Sequence, residues 1–228
     1  MIPVWLGAAA ALATAAVPEP SRPTAELPTY AVGDAFVFSD GRVEQVSAID
    51  GDTISWKGLQ GGVYQRNRNF VTPPSSWRMD QGEGRRTPSQ RAAALWPLVA
   101  GKSVRFTVIN ETRRAADRPW ERNMSLWSCK VGPRHDTTTP AGGFQVFTIG
   151  CELYSPVNMR LLERVAWDYA PDLGHYVRRI NVDYLAARTA SIVLTSALHG
   201  PAATRERLAV LAAQASARTP AGNPATAR

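Results

Sequence analysis

Two cysteines, three histidines and an arginine set among apolar strand residues are the positions of this chain whose types could do chemistry. Cys129 and Cys151 are the only cysteine pair, and an oxidising compartment would join them. Parity supports the bond. Over 125–131 the residues Trp127, Cys129 and Val131 share a face, and over 144–153 Phe147, Ile149, Cys151 and Leu153 do. Side chains alternate across a strand, so both sulfurs point into one core. A bridge closing a loop of this length stabilises a fold by about 3 kcal/mol. A metal site is the competing use of two thiols, but nearby His135 lacks ligand-like spacing.

Catalytic patterns are weak. His135, His175 and His199 fall in or beside expected turns, and no serine stands in a Gly-x-Ser-x-Gly setting. His135 and Asp136 are adjacent, which on a strand sends them to opposite faces. Glu152 and Glu163 sit on separate strands with nothing to join them in one cleft. The chain carries no cofactor fingerprint. These readings predict a protein that is not an enzyme and takes no cofactor.

Arg178 breaks the binary pattern. Tyr176, Arg178, Ile180, Val182 and Tyr184 share parity, so the guanidinium is expected among apolar neighbours. If a turn pairs Ala170 with His175, Trp167 lies opposite Arg178, and guanidinium over indole is a favourable contact of about 0.5–2 kcal/mol. Glu163 or Asp168 could add charge. Two other readings stay open: Arg178 as the one polar group of a ligand cup grasping carboxylate or phosphate, or a bulge that turns it outward.

The elements that position these residues are mainly β. After an extended lead-in at 17–29 come short strands at 35–39, 42–49, 53–57 and 63–66, divided by Asp40-Gly41, Asp50-Gly51 and Gly61-Gly62. Asp-Gly suits two-residue hairpins, where both central residues take positive φ. The run VGDAFVFSDGRVEQVSAIDGDTISWKGLQGGVYQ resembles small SH3-like barrels, which implies a first domain at 30–78. Its aromatics Trp56, Tyr64, Phe70 and Trp77 either line a peptide groove or, as we favour, pack the barrel core and the seam beside it.

Residues 79–86, rich in Gly and charge, read as a linker. A short helix follows, with Thr87 as its cap and Pro88 at the first position, ending near Trp96 before Pro97. Strands at 103–109, 125–131, 144–153, 160–169, 175–184 and 191–196 then predict an antiparallel meander, an open or closed barrel, within a disulfide-stapled domain at 87–200. A helix at 201–216, with Leu208, Leu211 and Ala215 as its stripe, should dock on it. The tail at 217–228 should be disordered.

The stretches TPAGGFQVFTIGC and WDYAPDLGHYVRR resemble exported bacterial β-domain families of unknown function, over residues 96–185. The resemblance implies a fold and an exported setting but transfers no activity.

Residues 1–16 read as a signal peptide. The apolar stretch 4–17 is too short to span a bilayer, and Ala13, Ala15 and Ala16 offer a small-residue cleavage site. No Lys or Arg precedes it, and a buried N-terminal helix is the alternative. The net charge of +7 comes almost wholly from arginine, since only Lys57, Lys102 and Lys130 are lysines. A basic exported chain meets anionic headgroups, wall polymers or an acidic partner. No basic run exceeds two residues, so scattered surface charge explains most of the balance. Nucleic acid is not expected as a partner, nor is a transmembrane segment.

Two roles follow for a periplasmic or secreted protein. One is a non-catalytic envelope adaptor for a protein or wall component. The other is a carrier whose curled meander holds a lipid-like ligand against Phe147, Trp167 and Tyr176.

Overall fold

Alternation of apolar and polar residues becomes strands throughout the computed structural model, which describes residues 23–79 and 82–218. The first half supplies β1 (Thr24–Ala25), β2 (Ala35–Phe38), β3 (Val43–Asp50), β4 (Thr53–Lys57), β5 (Val63–Asn67), β6 (Ser76–Met79), β7 (Gly82–Pro88) and β8 (Leu98–Val99). The second half supplies β9 (Ser103–Arg113), β10 (Glu121–Thr139), β11 (Gly142–Tyr154), β12 (Leu161–Ala170), β13 (His175–Asp183), β14 (Arg188–Leu198) and the helix α1 (Arg205–Arg218). The expected signal peptide, residues 17–22 of the lead-in and the tail beyond 218 lie outside the described residues.

Twelve of these strands form one closed antiparallel barrel, while β1 pairs with β8 apart from it. The first strands therefore do not shut on themselves as an SH3-like barrel. The edge of β2 pairs with β14, Ala35 opposite Leu198, and β7 pairs with β9, Pro88 opposite Val108. An unpaired edge leaves backbone N–H and C=O groups unsatisfied, and closure removes both edges. Much of the stretch read as a linker is strand: β6 and β7 pair Trp77 with Gly84 and Arg78 with Glu83.

The helix expected from Thr87 is a 3₁₀ turn, Gln90–Leu95, and Thr87 and Pro88 instead end β7. Ser89, just before the turn, is held to β9 and does not cap it: the Thr107 N–H donates to Ser89 Oγ at 3.3 Å, and the Ser89 N–H donates to Thr107 O at 2.8 Å.

Inward parity gathers Phe36, Phe38, Ile54, Trp56, Phe106, Trp127, Ile149 and Trp167 into one core. Each fully buried aromatic or aliphatic side chain contributes about 1.5–3 kcal/mol. Two segments at one end of the barrel plug it. Phe70 and Val71, between β5 and β6, meet Leu95, Trp96 and Leu98 inside the sheet. Asn69 stitches the two segments together, donating to Ala92 O at 3.1 Å and accepting from Trp96 Nε1 at 2.8 Å.

The outer wall carries Arg105, Lys130, Glu152 and Arg164, opposite in parity to the core residues, not the apolar band of a bilayer-spanning barrel. Among the described residues no helix is long and apolar enough to cross a membrane. Helix α1 covers the one apolar patch outside β2, packing Leu208 and Ala212 on Ala35, Val37 and Leu198. Thr204 Oγ1 caps it by accepting the Arg207 N–H at 3.3 Å. Gly41 admits this packing, because a Cβ there would stand 2.1 Å from Ser216 Oγ.

Cys129 and Cys151 are bonded and sit directly opposite one another on β10 and β11, their side chains in the core. The substitutions C129A and C151A together should lower unfolding free energy by about 3 kcal/mol in urea titration. A change under about 1 kcal/mol would show that the paired strands already impose the constraint.

Candidate functional site

Charged side chains occupy part of the inner face of the barrel. On β5 the inward residues are Tyr64 and Arg66, following on from Ile54 and Trp56 of β4. Trp77 of β6 lies beside Tyr64 and across from Gly84 of β7. The indole rests on Gly84, where a Cβ would come within 2.0 Å of the ring, so only glycine leaves it room. Two residues on, the Arg86 guanidinium stacks over the same indole at 4.2 Å.

A bulge in β13 completes the group and corrects the expectation for Arg178. Ala170 does pair with His175 and Tyr169 with Tyr176, but the register then slips by one residue. Trp167 consequently faces Arg179, and Arg178 faces Asp168. Arg178 is turned outward, where its Nε donates to Asp168 Oδ2 at 2.6 Å and its Nη2 to Thr137 Oγ1 at 3.1 Å. Arg179 shares the inward face of Trp167 and Ile192. The interior guanidinium is real but belongs to the next residue. Only a bulge could have moved it, and alternation gives no signal for one.

Arg66, Arg86 and Arg179 thus stand inside the barrel with Glu44 and Glu163. Asp183, opposite Glu163 on β13, shares this inward parity and its charge raises Glu163, so three cations stand against three carboxylates. Buried atoms Arg66 Nε, Arg179 Nε and Asn181 Oδ1 have no hydrogen-bond partner. A buried donor left without an acceptor costs about 1–3 kcal/mol. Arg66, Arg86, Arg179, Glu163, Tyr64 and Trp77 are all partly exposed, so solvent reaches this part of the interior.

Glu44 anchors the group on its buried side. Tyr176 OH donates to its Oε1 at 2.9 Å, and its Oε2 lies 3.5 Å from His175 Nε2. Burial opposes the charge of Glu44, but His175, Arg66 and Tyr176 overcome it and hold the carboxyl at about 2. Burial also pushes His175 below its ordinary range, against the pull of Glu44. The ring is neutral at pH 7, and we assign its proton to Nε2, leaving Nδ1 to accept from Tyr30 OH at 3.0 Å. Burial raises Glu163 despite Arg179 and Asn181. For Arg86, burial lowers the pKa, Glu163 opposes that and Arg66 reinforces it, so the three groups feel one another.

The other residues singled out in the sequence fall into two sets. Trp56 and Trp167 are buried core, with Trp56 stacked on Tyr64 at 6.4 Å between centroids. Tyr64 and Trp77 belong to the arginine group. The position foreseen for a lipid-like ligand among Phe147, Trp167 and Tyr176 is packed with protein: Phe70 lies 6.3 Å from the Trp167 ring and 5.7 Å from that of Tyr176. Two open clefts lie elsewhere. One of about 210 Å³ adjoins Lys57, Leu59 and Arg205, and one of about 520 Å³ adjoins Asp136, Phe144 and Leu173. Neither includes any residue of the arginine group.

No protein-family model and no curated protein matches this chain. Several solved structures are similar to it. The hypothetical lipoprotein YmcC of Escherichia coli aligns at a TM-score of 0.49 and 8% identity, over 74% of this chain and 84% of that one. A Bacteroides fragilis protein described as exported, with a YmcC-like fold, aligns at 0.38 and 12%, over 77% and 100%. A Parabacteroides distasonis protein described as a lipoprotein aligns at 0.38 and 11%, over 78% and 100%.

The buried pair makes stability depend on pH. His175 titrates lower in the folded chain than in the unfolded one, so its contribution is complete above about pH 6.5 and drains away as pH falls below it. Glu44 acts in the same direction lower down, between its ordinary 4.5 and about 2. Glu163 works oppositely just above 4.5. Thermal melts should therefore show Tm falling from pH 7.5 to 5.5, and H175Q should flatten that slope. An unchanged slope in H175Q would place the titrating group elsewhere.

Proposed function

We propose that this is a non-catalytic protein of the bacterial cell envelope, periplasmic or secreted, that acts as a binding adaptor for an acidic wall component. An anionic group of that component enters the barrel and pairs with Arg66, Arg86 and Arg179. The observation that carries this reading is the gathering of three interior guanidiniums, with the buried Nε atoms of Arg66 and Arg179 left without hydrogen-bond partners. Arginine matches carboxylate and phosphate as a planar fork, and it stays charged at any pH the envelope meets. An anion at this position supplies the missing acceptors and offsets the cost of the unpaired donors. Trp77 and Tyr64 beside the arginines offer flat apolar faces on which a sugar ring can lie.

Further support comes from the disulfide and the leader-like start of the chain, both of which suit an oxidising compartment. The carrier alternative has less in its favour, because Phe70 fills the place its ligand would take.

Carboxylate and phosphate share this chemistry, so the test uses both. Thermal-shift titrations with trigalacturonate, inorganic phosphate and a neutral galactose trimer should give a rise in Tm with one or both anions only. A ligand at 100 times its Kd adds about 2.7 kcal/mol, a shift of several degrees. The R86Q/R179Q variant should lose that rise while keeping its circular dichroism. Equal response to the neutral trimer, or a rise that survives in R86Q/R179Q, would overturn the reading.

A further inference from the structure

In this barrel, hairpin tips alternate between the two ends. The plug segments follow β5 and β7 at one end, and the β6–β7, β9–β10, β11–β12 and β13–β14 connections lie at the other. Large exposed apolar side chains collect at that second end. Val157 is 92% exposed, Leu185 61%, Met79 59% and Met159 57%, with Trp120 and Tyr184 beside them. The plugged end has only Val32 and Ile49 in this class among the described residues.

These side chains are held out by ordered turns. The Ser155 N–H donates to Arg160 O and the Met159 N–H to Ser155 O, both at 2.9 Å, closing the loop that carries Val157 and Met159. Asp183 Oδ1 accepts the N–H groups of Leu185 and Ala186, each at 2.9 Å, fixing the next tip. A water-soluble surface gains nothing from presenting apolar groups this way, so their concentration at one end marks a contact face.

Charge identifies the partner. Residues 79–82, 114–120, 155–160 and 184–188 carry Arg114, Arg118, Arg160 and Arg188, all exposed, against the acids Asp80 and Asp117. Trp120 sits between two further guanidiniums, with Arg85 at 4.6 Å and Arg113 at 5.0 Å from its ring. Tryptophan, tyrosine and arginine around projecting aliphatic tips match the boundary between lipid headgroups and acyl chains. We infer that the unplugged end of the barrel docks on an anionic bilayer surface, with the hairpin tips dipping into the acyl boundary and the arginines against the headgroups. This attachment is separate from the interior site and does not depend on it.

Co-sedimentation with phosphatidylglycerol–phosphatidylethanolamine vesicles, against phosphatidylcholine vesicles, tests it on the full chain. The protein should pellet with the anionic vesicles and release as salt shortens the Debye length from about 30 Å at 0.01 M to about 10 Å at 0.1 M. R114Q, R118Q, R160Q and R188Q should each weaken binding by about fivefold. V157S/M159S/L185S should weaken it by about tenfold or more with unchanged circular dichroism. R86Q/R179Q should bind the vesicles like the parent chain, which separates this surface from the interior site. Folded protein that stays in the supernatant, or tip variants that pellet like the parent, would overturn the proposal. So would lipid-free dimers that the same three substitutions dissociate, because the tips would then face a second copy.

Discussion

Closure of the sheet between residues far apart in the chain is the constraint on which the rest depends. The edge of β2 is satisfied by β14, with Ala35 opposite Leu198, and the edge of β7 by β9. Long-range pairing of this kind is entropically expensive to reach, but once made it leaves no strand edge in the barrel open. It also fixes which residues can meet. Arg66 and Arg86 come from the first half of the chain and Arg179 and Glu163 from the second, and only a shared interior brings them together.

Within that interior the plug decides what is dry and what is wet. Phe70, Trp96, Tyr169 and Tyr176 pack ring against ring at centroid distances of 5.3 to 5.9 Å and seal one end. Glu44 and His175 stand at the border, where low dielectric strengthens every interaction and penalises every unpaired atom. Tyr30, Tyr176 and Arg66 surround them and hold one carboxylate ionised beside a neutral imidazole. Beyond this border the buried Nε atoms of Arg66 and Arg179 have no hydrogen-bond partner.

Much of the architecture was legible in the sequence. Alternation located the strands that became β2–β5, β11 and β12–β14 closely, caught only the middle of the 19-residue β10, and put both cysteines on the inner face. It failed at β6 and β7, where the inward residues are Trp77, Gly84 and Arg86 in place of an apolar series. Without hydrophobic alternation the stretch looks like a linker, and the residues that hid the strands are those of the candidate site. Arg178 shows the second kind of failure. The argument that an arginine should face Trp167 was sound in its chemistry, but a one-residue slip gave the place to Arg179. Reading the first strands as a self-closed SH3-like barrel has the same root, since local patterns say nothing about which distant edge a strand will find.

The interior arginines as an anion site can be observed directly. With ¹⁵N-labelled arginine, the Nε–H resonances of Arg66 and Arg179, assigned through R66Q and R179Q, are followed as phosphate or trigalacturonate is added. The account predicts that these two signals move together along one saturating curve and exchange more slowly with solvent at its end. If they stay fixed while the resonances of exposed arginines such as Arg114 and Arg118 shift, the anion binds only to the outer surface and the central claim fails.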